Sequence, residues 1–230
     1  MIVTDGQYAF QSFGRTRNNL RYLGRLECCL RALVYQRFDE ILIAVPAELQ
    51  TINDYPFVEL VRNLEANYVG LPITLAGGTT EQLNTFILER QCVERLAVNS
   101  LIFQSDALQR LRSIQESYGE QFIIANIPVF FSNDTWCAVD QSSGKLISLA
   151  QLDYDLLNCF DEVMFHFIDN QGSFVDTDSL DILGDRIAME KIILAGGMNS
   201  IEILKKAKWM NVASILADNY ALYSEHIYAL

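Results

Sequence analysis

The chain contains the same short pattern twice, and this repeat constrains its fold more than any other feature. An apolar segment of strand length ends in Ala-Gly-Gly at Pro72–Gly78 and again at Lys191–Gly197. The first glycines of the two copies, Gly77 and Gly196, lie 119 residues apart. A pair of glycines lets backbone N–H groups approach a ligand closely at the start of a helix, where the helix dipole favours an anion. The repeat therefore predicts two sites for a ligand with two phosphates.

Each copy continues into a helical pattern and then a second apolar strand with a polar end. These second strands are Leu96–Ser100 and Ile215–Asn219. Polar residues at the end of such a strand are expected to cap the helix that follows and to contact phosphate. The predicted phosphate-binding residues are Gly77, Gly78, Asn99, Ser100, Gly196 and Gly197.

Strand-like and helix-like segments alternate along most of the chain. Ile41–Val45 and Val163–Ile168 are apolar runs typical of buried parallel strands. Gln7–Arg21 is polar and aromatic, and helical spacing begins at Leu23. We count about eight strands and eight helices, which predicts a (β/α)₈ TIM barrel, an α/β fold, formed by residues 1–230 as one domain with two half-barrel repeats. An open doubly wound sheet is the alternative.

One part of the chain departs from this alternation. Three short apolar segments predict a small antiparallel excursion. They are Val129–Phe131, Trp136–Val139 and Leu146-Ile147, and the turns between them are Ser132-Asn133-Asp134 and Ser142-Ser143-Gly144.

Composition excludes several classes of function. The net charge of −12 argues against binding the backbone of a nucleic acid, and no apolar run is long enough to span a membrane. With two histidines and no metal-ligand spacing of cysteines, we expect no metal and no cofactor. We expect no signal peptide and a cytoplasmic protein with reduced thiols. The five cysteines are Cys28, Cys29, Cys92, Cys137 and Cys159.

An ordered set of short motifs resembles the cyclase subunit of imidazole glycerol phosphate synthase and its sister isomerase in histidine synthesis. The resemblance runs from Asp5-Gly6 to the C-terminus. Its motifs are Asp39-Glu40, Leu75–Gly78, Val98–Ser100, Tyr118–Gln121, Ile168–Gly172 and Leu194–Gly197. It implies a barrel whose two Gly-Gly units hold a substrate with a phosphate at each end. It also implies ammonia delivered through the barrel by a bound glutaminase, and two aspartates that act as general acid and base.

The chain departs from the family at these aspartates. The position at the end of strand five falls on Pro128, and its nearest polar neighbour is Asn126. A shifted alignment places Asp5 at the position on strand one, and Asp169 matches an acidic loop of the family's active site. The candidate catalytic residues are therefore Asp5 and Asp169. His166 is expected to be an interior, hydrogen-bonded histidine.

The resemblance is closer at the ammonia entrance. Glu40, Arg95 and Glu162 match three members of the family's ring of charged residues, and Glu94 matches an acidic position that meets the glutaminase. All three ring residues begin a predicted parallel strand, and such beginnings share one end of a sheet. They are predicted to form an ammonia gate; charged surface groups that merely precede a strand are the alternative.

Three functions remain open from the sequence. The chain is a repurposed cyclase-like subunit that docks a glutaminase and passes ammonia to another reaction, such as amination of a sugar for a surface polysaccharide. Alternatively it is an active cyclase, a lyase of histidine biosynthesis, that depends on Asp5. The third alternative is a noncatalytic scaffold that binds a phosphorylated small molecule.

Overall fold

The computed structural model describes residues 2–13, 19–35, 38–45, 70–76, 93–132, 134–168, 183, 185–197 and 201–217. Within these ranges, twelve strands belong to a mixed sheet. The strands are β1 Ile2–Thr4, β2 Tyr8–Phe13, β3 Asn19–Arg25, β4 Ile41–Ala44, β5 Ile73–Ala76, β6 Arg95–Val98, β7 Ile123–Ser132, β8 Thr135–Val139, β9 Leu146–Ser148, β10 Glu162–Phe167, β11 Ile192–Ala195 and β12 Ser214–Leu216. The described α-helices are α1 Leu26–Tyr35, α2 Ala107–Tyr118, α3 Tyr154–Asn158 and α4 Ile201–Trp209.

The prediction of a (β/α)₈ barrel with two half-barrel repeats is wrong. Strands dominate the described residues, which carry only four α-helices and do not show eight alternating β/α units. The structure differs from the predicted fold most clearly near the N-terminus. There the polar and aromatic stretch forms β2 and β3, and the helix begins only at Leu26. In β2 the buried Ala9 alternates with the half-buried Tyr8 and Phe10, so its period is that of a strand.

The chain divides into two compact units. The first comprises Met1–Ser12 with Arg17–Val98, and the second comprises Phe13–Thr16 with Asn99–Leu230. The prediction of a single domain over the whole chain stays a prediction.

The first unit is built on parallel strands with an antiparallel extension. Its strand order is β6-β5-β4-β1-β2-β3. β1 pairs in parallel with β4 and antiparallel with β2, and β4, β5 and β6 pair in parallel. All side chains of β4 and β5 are buried, which explains why β4, and β5 apart from Thr74, are apolar in sequence. Leu26 and Leu30 of α1 are fully buried, and Leu26 N donates to Gln7 O, which joins the start of α1 to the β1–β2 turn.

The second unit has β7, β10, β11 and β12 as parallel neighbours. Its apolar core includes Phe165 and Phe167 of β10 and Ile127 of β7, all essentially inaccessible to solvent. β8 pairs antiparallel with β7, and β9 pairs antiparallel with β8. This confirms the predicted antiparallel excursion, which its turn residues signal locally.

The β8–β9 turn is organised by one buried carboxylate. Asp140 Oδ1 accepts hydrogen bonds from Ser142 N and Oγ, at 3.0 and 2.7 Å, and Oδ2 accepts one from Ser143 Oγ at 2.5 Å. Burial alone raises the pKa of Asp140, but the hydrogen bonds from Ser143 and Ser142 outweigh it, and the net pKa lies below the ordinary 3.8. The charged form of Asp140 is therefore part of the folded turn.

We expect Asp140→Asn to lower the free energy of unfolding by about 1–3 kcal/mol at neutral pH, because it weakens the bonds from Ser142 and Ser143. A carboxylate whose folded pKa is lowered stabilises the fold above its unfolded pKa and loses this contribution as the pH falls through the folded pKa. The difference in the free energy of unfolding between wild type and variant should therefore shrink as the pH falls below 3.8. Urea denaturation across this pH range measures it.

Asp153→Asn is the matched control. Asp153 is an exposed N-cap that accepts a hydrogen bond from Leu156 N, and asparagine caps a helix about as well as aspartate. Equal losses for both variants at every pH would contradict the role assigned to Asp140.

Candidate functional site

A carboxylate, a guanidinium and a hydroxyl meet at the amino ends of the parallel strands in the first unit. Glu40 precedes β4, Arg95 begins β6, and Thr74 of β5 is in register with Arg95. Arg95 Nε donates to Glu40 Oε1 at 3.0 Å, and Arg95 Nη2 donates to Glu40 Oε2. Thr74 Oγ1 also donates to Glu40 Oε1. We call this the Glu40–Arg95–Thr74 cluster.

The geometry of the cluster is that of a forked, charge-assisted pair. Two parallel N–H···O bonds fix the planes of the guanidinium and the carboxylate, and lysine cannot reproduce this fork. The side chains of Arg95 and Glu40 are 21% and 25% exposed, while Thr74 is buried. The pair is thus partly shielded from solvent and partly accessible to it.

Glu94, the residue expected to meet a glutaminase, is held beside the cluster. Its Oε2 accepts a hydrogen bond from Ile73 N at 2.6 Å, and its own N donates to Ile73 O at 3.0 Å. The Glu94 carboxylate therefore accepts a hydrogen bond from the backbone of the first residue of β5.

The ammonia gate of Glu40, Arg95 and Glu162 stays a prediction. Glu40 and Arg95 are brought together within the first unit. Glu162, the third member, is the half-buried first residue of β10 in the second unit, where it is in register with Ile124. Its part in the gate stays a prediction.

Asn99 has a different role from the predicted helix cap. Its side chain makes no capping bond to the 3₁₀ helix Ser100–Phe103, so the capping prediction is wrong. Instead Asn99 Nδ2 donates to Asn126 O at 3.1 Å and to Val139 O at 3.0 Å, and Oδ1 accepts from Gln141 N at 2.7 Å. Asn99 thus joins β7 to the β8–β9 turn. Phosphate contact by Asn99 and the half-buried Ser100 stays a prediction.

We expect Asn99→Asp to lower the free energy of unfolding by about 1–3 kcal/mol, because a carboxylate oxygen would face the two carbonyls that Nδ2 now serves. Asn158→Asp is the matched control, since Asn158 is exposed and its Nδ2 donates to Arg186 O at 3.3 Å. Chemical denaturation of both variants measures the losses. Equal losses of unfolding free energy in the two variants would contradict a special role of Asn99 in joining β7 to the β8–β9 turn.

The second Gly-Gly pair adopts a backbone that only glycine occupies readily. Gly196 and Gly197 have φ of 80° and 72°. A Cβ on Gly196 would lie 2.3 Å from Phe167 O and 3.2 Å from His166 Cδ2. The end of β11 therefore packs directly against the backbone at the end of β10, and α4 begins four residues later at Ile201. Phosphate binding at this pair stays a prediction.

We expect Gly196→Ala to cost about 1–2 kcal/mol for a left-handed alanine and about 1–3 kcal/mol more for the contact with Phe167. Gly144→Ala is the matched control, because Gly144 has φ +70° and a Cβ added there would meet no other atom within 4 Å. It should show the backbone cost alone. Urea midpoints that fall equally for both would contradict the close approach.

Asp5, a candidate catalytic residue, organises the turn between β1 and β2. Its Oδ1 accepts hydrogen bonds from Gln7 N at 3.0 Å and Tyr8 N at 2.7 Å. A catalytic role for Asp5 stays a prediction. The remaining predicted site residues lie outside the described residues: they are Asp169, Gly77 and Gly78.

Two polar residues of the structure were not selected as site residues from the sequence. Thr74 completes the Glu40–Arg95–Thr74 cluster, and its signal was a single hydroxyl in an otherwise apolar strand. Asn126 of β7 is buried, and its Oδ1 makes no hydrogen bond to the described residues. His166 is buried, as expected for an interior histidine.

Comparison with known proteins does not assign this chain to a family. No protein-family model matches it, and a search of curated proteins found no match either. Within the described ranges, no group of histidine, cysteine, aspartate and glutamate side chains is arranged to hold a metal ion. No helix in the same ranges is both long and apolar enough to cross a membrane.

Proposed function

We propose that this chain is a cyclase-like subunit that docks a glutaminase and receives its ammonia at the face that carries the Glu40–Arg95–Thr74 cluster. The single observation that carries the proposal is the forked pair between Arg95 and Glu40 at the amino ends of β4 and β6. Its residues are those that the resemblance to the histidine-pathway cyclase selects for an ammonia entrance.

The chemistry of the cluster suits a gate better than a structural brace. Ion pairs that keep contact with solvent contribute little to stability, about 0–1 kcal/mol when exposed. The two parallel hydrogen bonds of an Arg–carboxylate pair nevertheless fix the relative orientation of the two side chains. Such a pair can therefore close a polar opening in one defined geometry. Glu94 is proposed as a contact for the glutaminase.

The proposed reaction is not the histidine-pathway cyclisation. Pro128 and Asn126 occupy the region where that chemistry needs a carboxylate, and neither exchanges a proton near neutral pH as a carboxylate does. Asp5 accepts two backbone hydrogen bonds in a turn, which suits a structural role. We therefore propose another ammonia acceptor, such as a sugar destined for a surface polysaccharide, and a cytoplasmic location. The four described cysteines carry free thiols, in keeping with a reducing compartment.

A scaffold for a phosphorylated ligand is the second candidate. The positive φ angles of Gly196 and Gly197 ahead of α4 favour it, because such a backbone permits close approach of an anion to N–H groups. This function needs no glutaminase, and that difference separates the two candidates.

We expect the tagged chain to co-purify with glutaminase activity and to retain the ammonia that the partner releases. Arg95→Lys preserves the charge but not the fork, so the complex should still form while ammonia escape per glutamine hydrolysed rises severalfold. Ammonia trapped in solution, divided by glutamate formed, measures the escape.

Arg110→Lys is the control, since Arg110 lies on α2 and donates to Gln104 Oε1 through Nη1. It should leave ammonia retention unchanged, and thermal denaturation should show both variants folded. A chain that captures no glutaminase activity overturns the proposal and favours the phosphate-binding scaffold. A complex in which Arg95→Lys retains ammonia as well as wild type removes the cluster from the mechanism.

A further inference from the structure

Trp209, the last residue of α4, is the most exposed large apolar side chain among the described residues. It is 84% exposed, and the exposed Lys205 and Lys208 precede it by four residues and by one. We call these three residues the basic patch. Neither lysine forms an ion pair with any part of the chain that the structure describes. Lysines near the end of a helix complement its dipole, but the dipole does not account for an exposed tryptophan.

A second patch, of opposite charge, surrounds an exposed tyrosine at the end of α2. Tyr118 is 44% exposed, and the exposed Glu116 and Glu120 lie on either side of it in the chain. Glu116 lies in the last turn of α2, where the helix dipole disfavours a negative charge and no basic residue is present. The exposed Arg112, one turn earlier, forms no ion pair with Glu116. We call Glu116, Tyr118 and Glu120 the acidic patch.

Both patches lie at the amino end of the parallel strands in the second unit. The acidic patch precedes β7, which begins at Ile123, and the basic patch precedes β12, which begins at Ser214. β7, β10, β11 and β12 pair in parallel, so the starts of β7 and β12 lie at the same end of the sheet. One copy of the chain therefore carries two patches of opposite charge, each with an exposed aromatic side chain, at one end of the second unit.

We propose that the chain forms a twofold-symmetric dimer in which the basic patch of each copy contacts the acidic patch of the other. In such an interface, residue i of one copy meets residue j of the second and j meets i. Because both patches lie at the same end of the unit, a twofold axis between them forms both contacts at once. Trp209 then packs on Tyr118 of the second copy, and Lys205 and Lys208 face its glutamates. Tryptophan and tyrosine are the side chains most often found at the centre of interfaces.

The charges select this arrangement over other contacts. Two basic patches or two acidic patches would set like charges against each other, which opposes association. An anionic membrane would attract the lysines but repel a chain of net charge −12. In addition, Ile203 and Ala207 on the apolar face of α4 are buried in the fold and are not free to enter a membrane. The dimer does not rest on the proposed function, because it needs neither a glutaminase nor the Glu40–Arg95–Thr74 cluster.

The first test is the mass of the purified full-length chain in sedimentation velocity as its concentration rises. The exposed aromatic area is small, so we expect a weak dimer with a Kd of about 1–100 µM. Trp209→Ala should raise the Kd about tenfold or more, because it removes the aromatic side chain at the centre of each contact. Leu108→Ala is the matched control, since Leu108 is 40% exposed at the other end of α2 and should leave the Kd unchanged.

The second test exchanges the charges of the patches. Lys205→Glu with Lys208→Glu makes both patches acidic, and Glu116→Lys with Glu120→Lys makes both basic, so each double variant alone should be monomeric. An equal mixture of the two double variants should form a heterodimer, because both of its contacts again join opposite charges. Thermal denaturation should show that each double variant is folded.

Three results would overturn the proposal. A wild-type chain that stays monomeric over this concentration range excludes a second copy as the partner of these patches. A dimer whose Kd is the same in Trp209→Ala and wild type uses another surface. Folded charge variants that remain monomeric when mixed, or that dimerise equally well alone, show that the two patches do not contact each other.

Discussion

Burial of the parallel strands is the constraint on which the rest of the structure depends. The side chains of β4, β5 and β11 are buried without exception, and those of β10 nearly so. A strand buried on both faces gives its polar groups no access to water, so each must find a partner inside the protein. The polar side chains in and beside the strands are therefore informative, because each needs hydrogen-bond partners close by.

Three of these arrangements satisfy the constraint by different means. In the first unit, Glu40 is matched by the guanidinium of Arg95 and the hydroxyl of Thr74. In the second unit, Asn99 uses both ends of its carboxamide to join β7 to the β8–β9 turn. Asp140 keeps its charge because serine donors surround it. Asn99 and Asp140 are buried, so loss of their hydrogen bonds would leave buried polar atoms unpaired.

Two features differ from Asn99 and Asp140. Arg95 and Glu40 bind each other but keep about a fifth to a quarter of their side-chain surface exposed. Asn126 Oδ1 has no donor among the described residues although it is buried. A polar group that stays unpaired inside a fold costs stability.

The sequence by itself determined the features that depend on neighbouring residues. Apolar runs marked β4, β10 and β11, and turn residues marked the hairpin from β7 through β9, because strand burial and turn formation are local preferences. Charged residues at the starts of strands likewise indicated Glu40 and Arg95 as neighbours, since parallel strands begin at one end of a sheet.

Only the tertiary structure decided which distant groups meet. The aromatic residues of β2 and β3 are compatible with a helix or a strand. β2 is a strand because it pairs with β1, and β3 lies next to β2 in the sheet. Thr74 joins Glu40, and Asn99 leaves its expected helix cap for carbonyls 27 and 40 residues away. The barrel prediction failed for the same reason: alternation along a chain does not specify how strands pair. Local preference sets which segments are strands, whereas the burial of distant polar and apolar groups sets how they assemble.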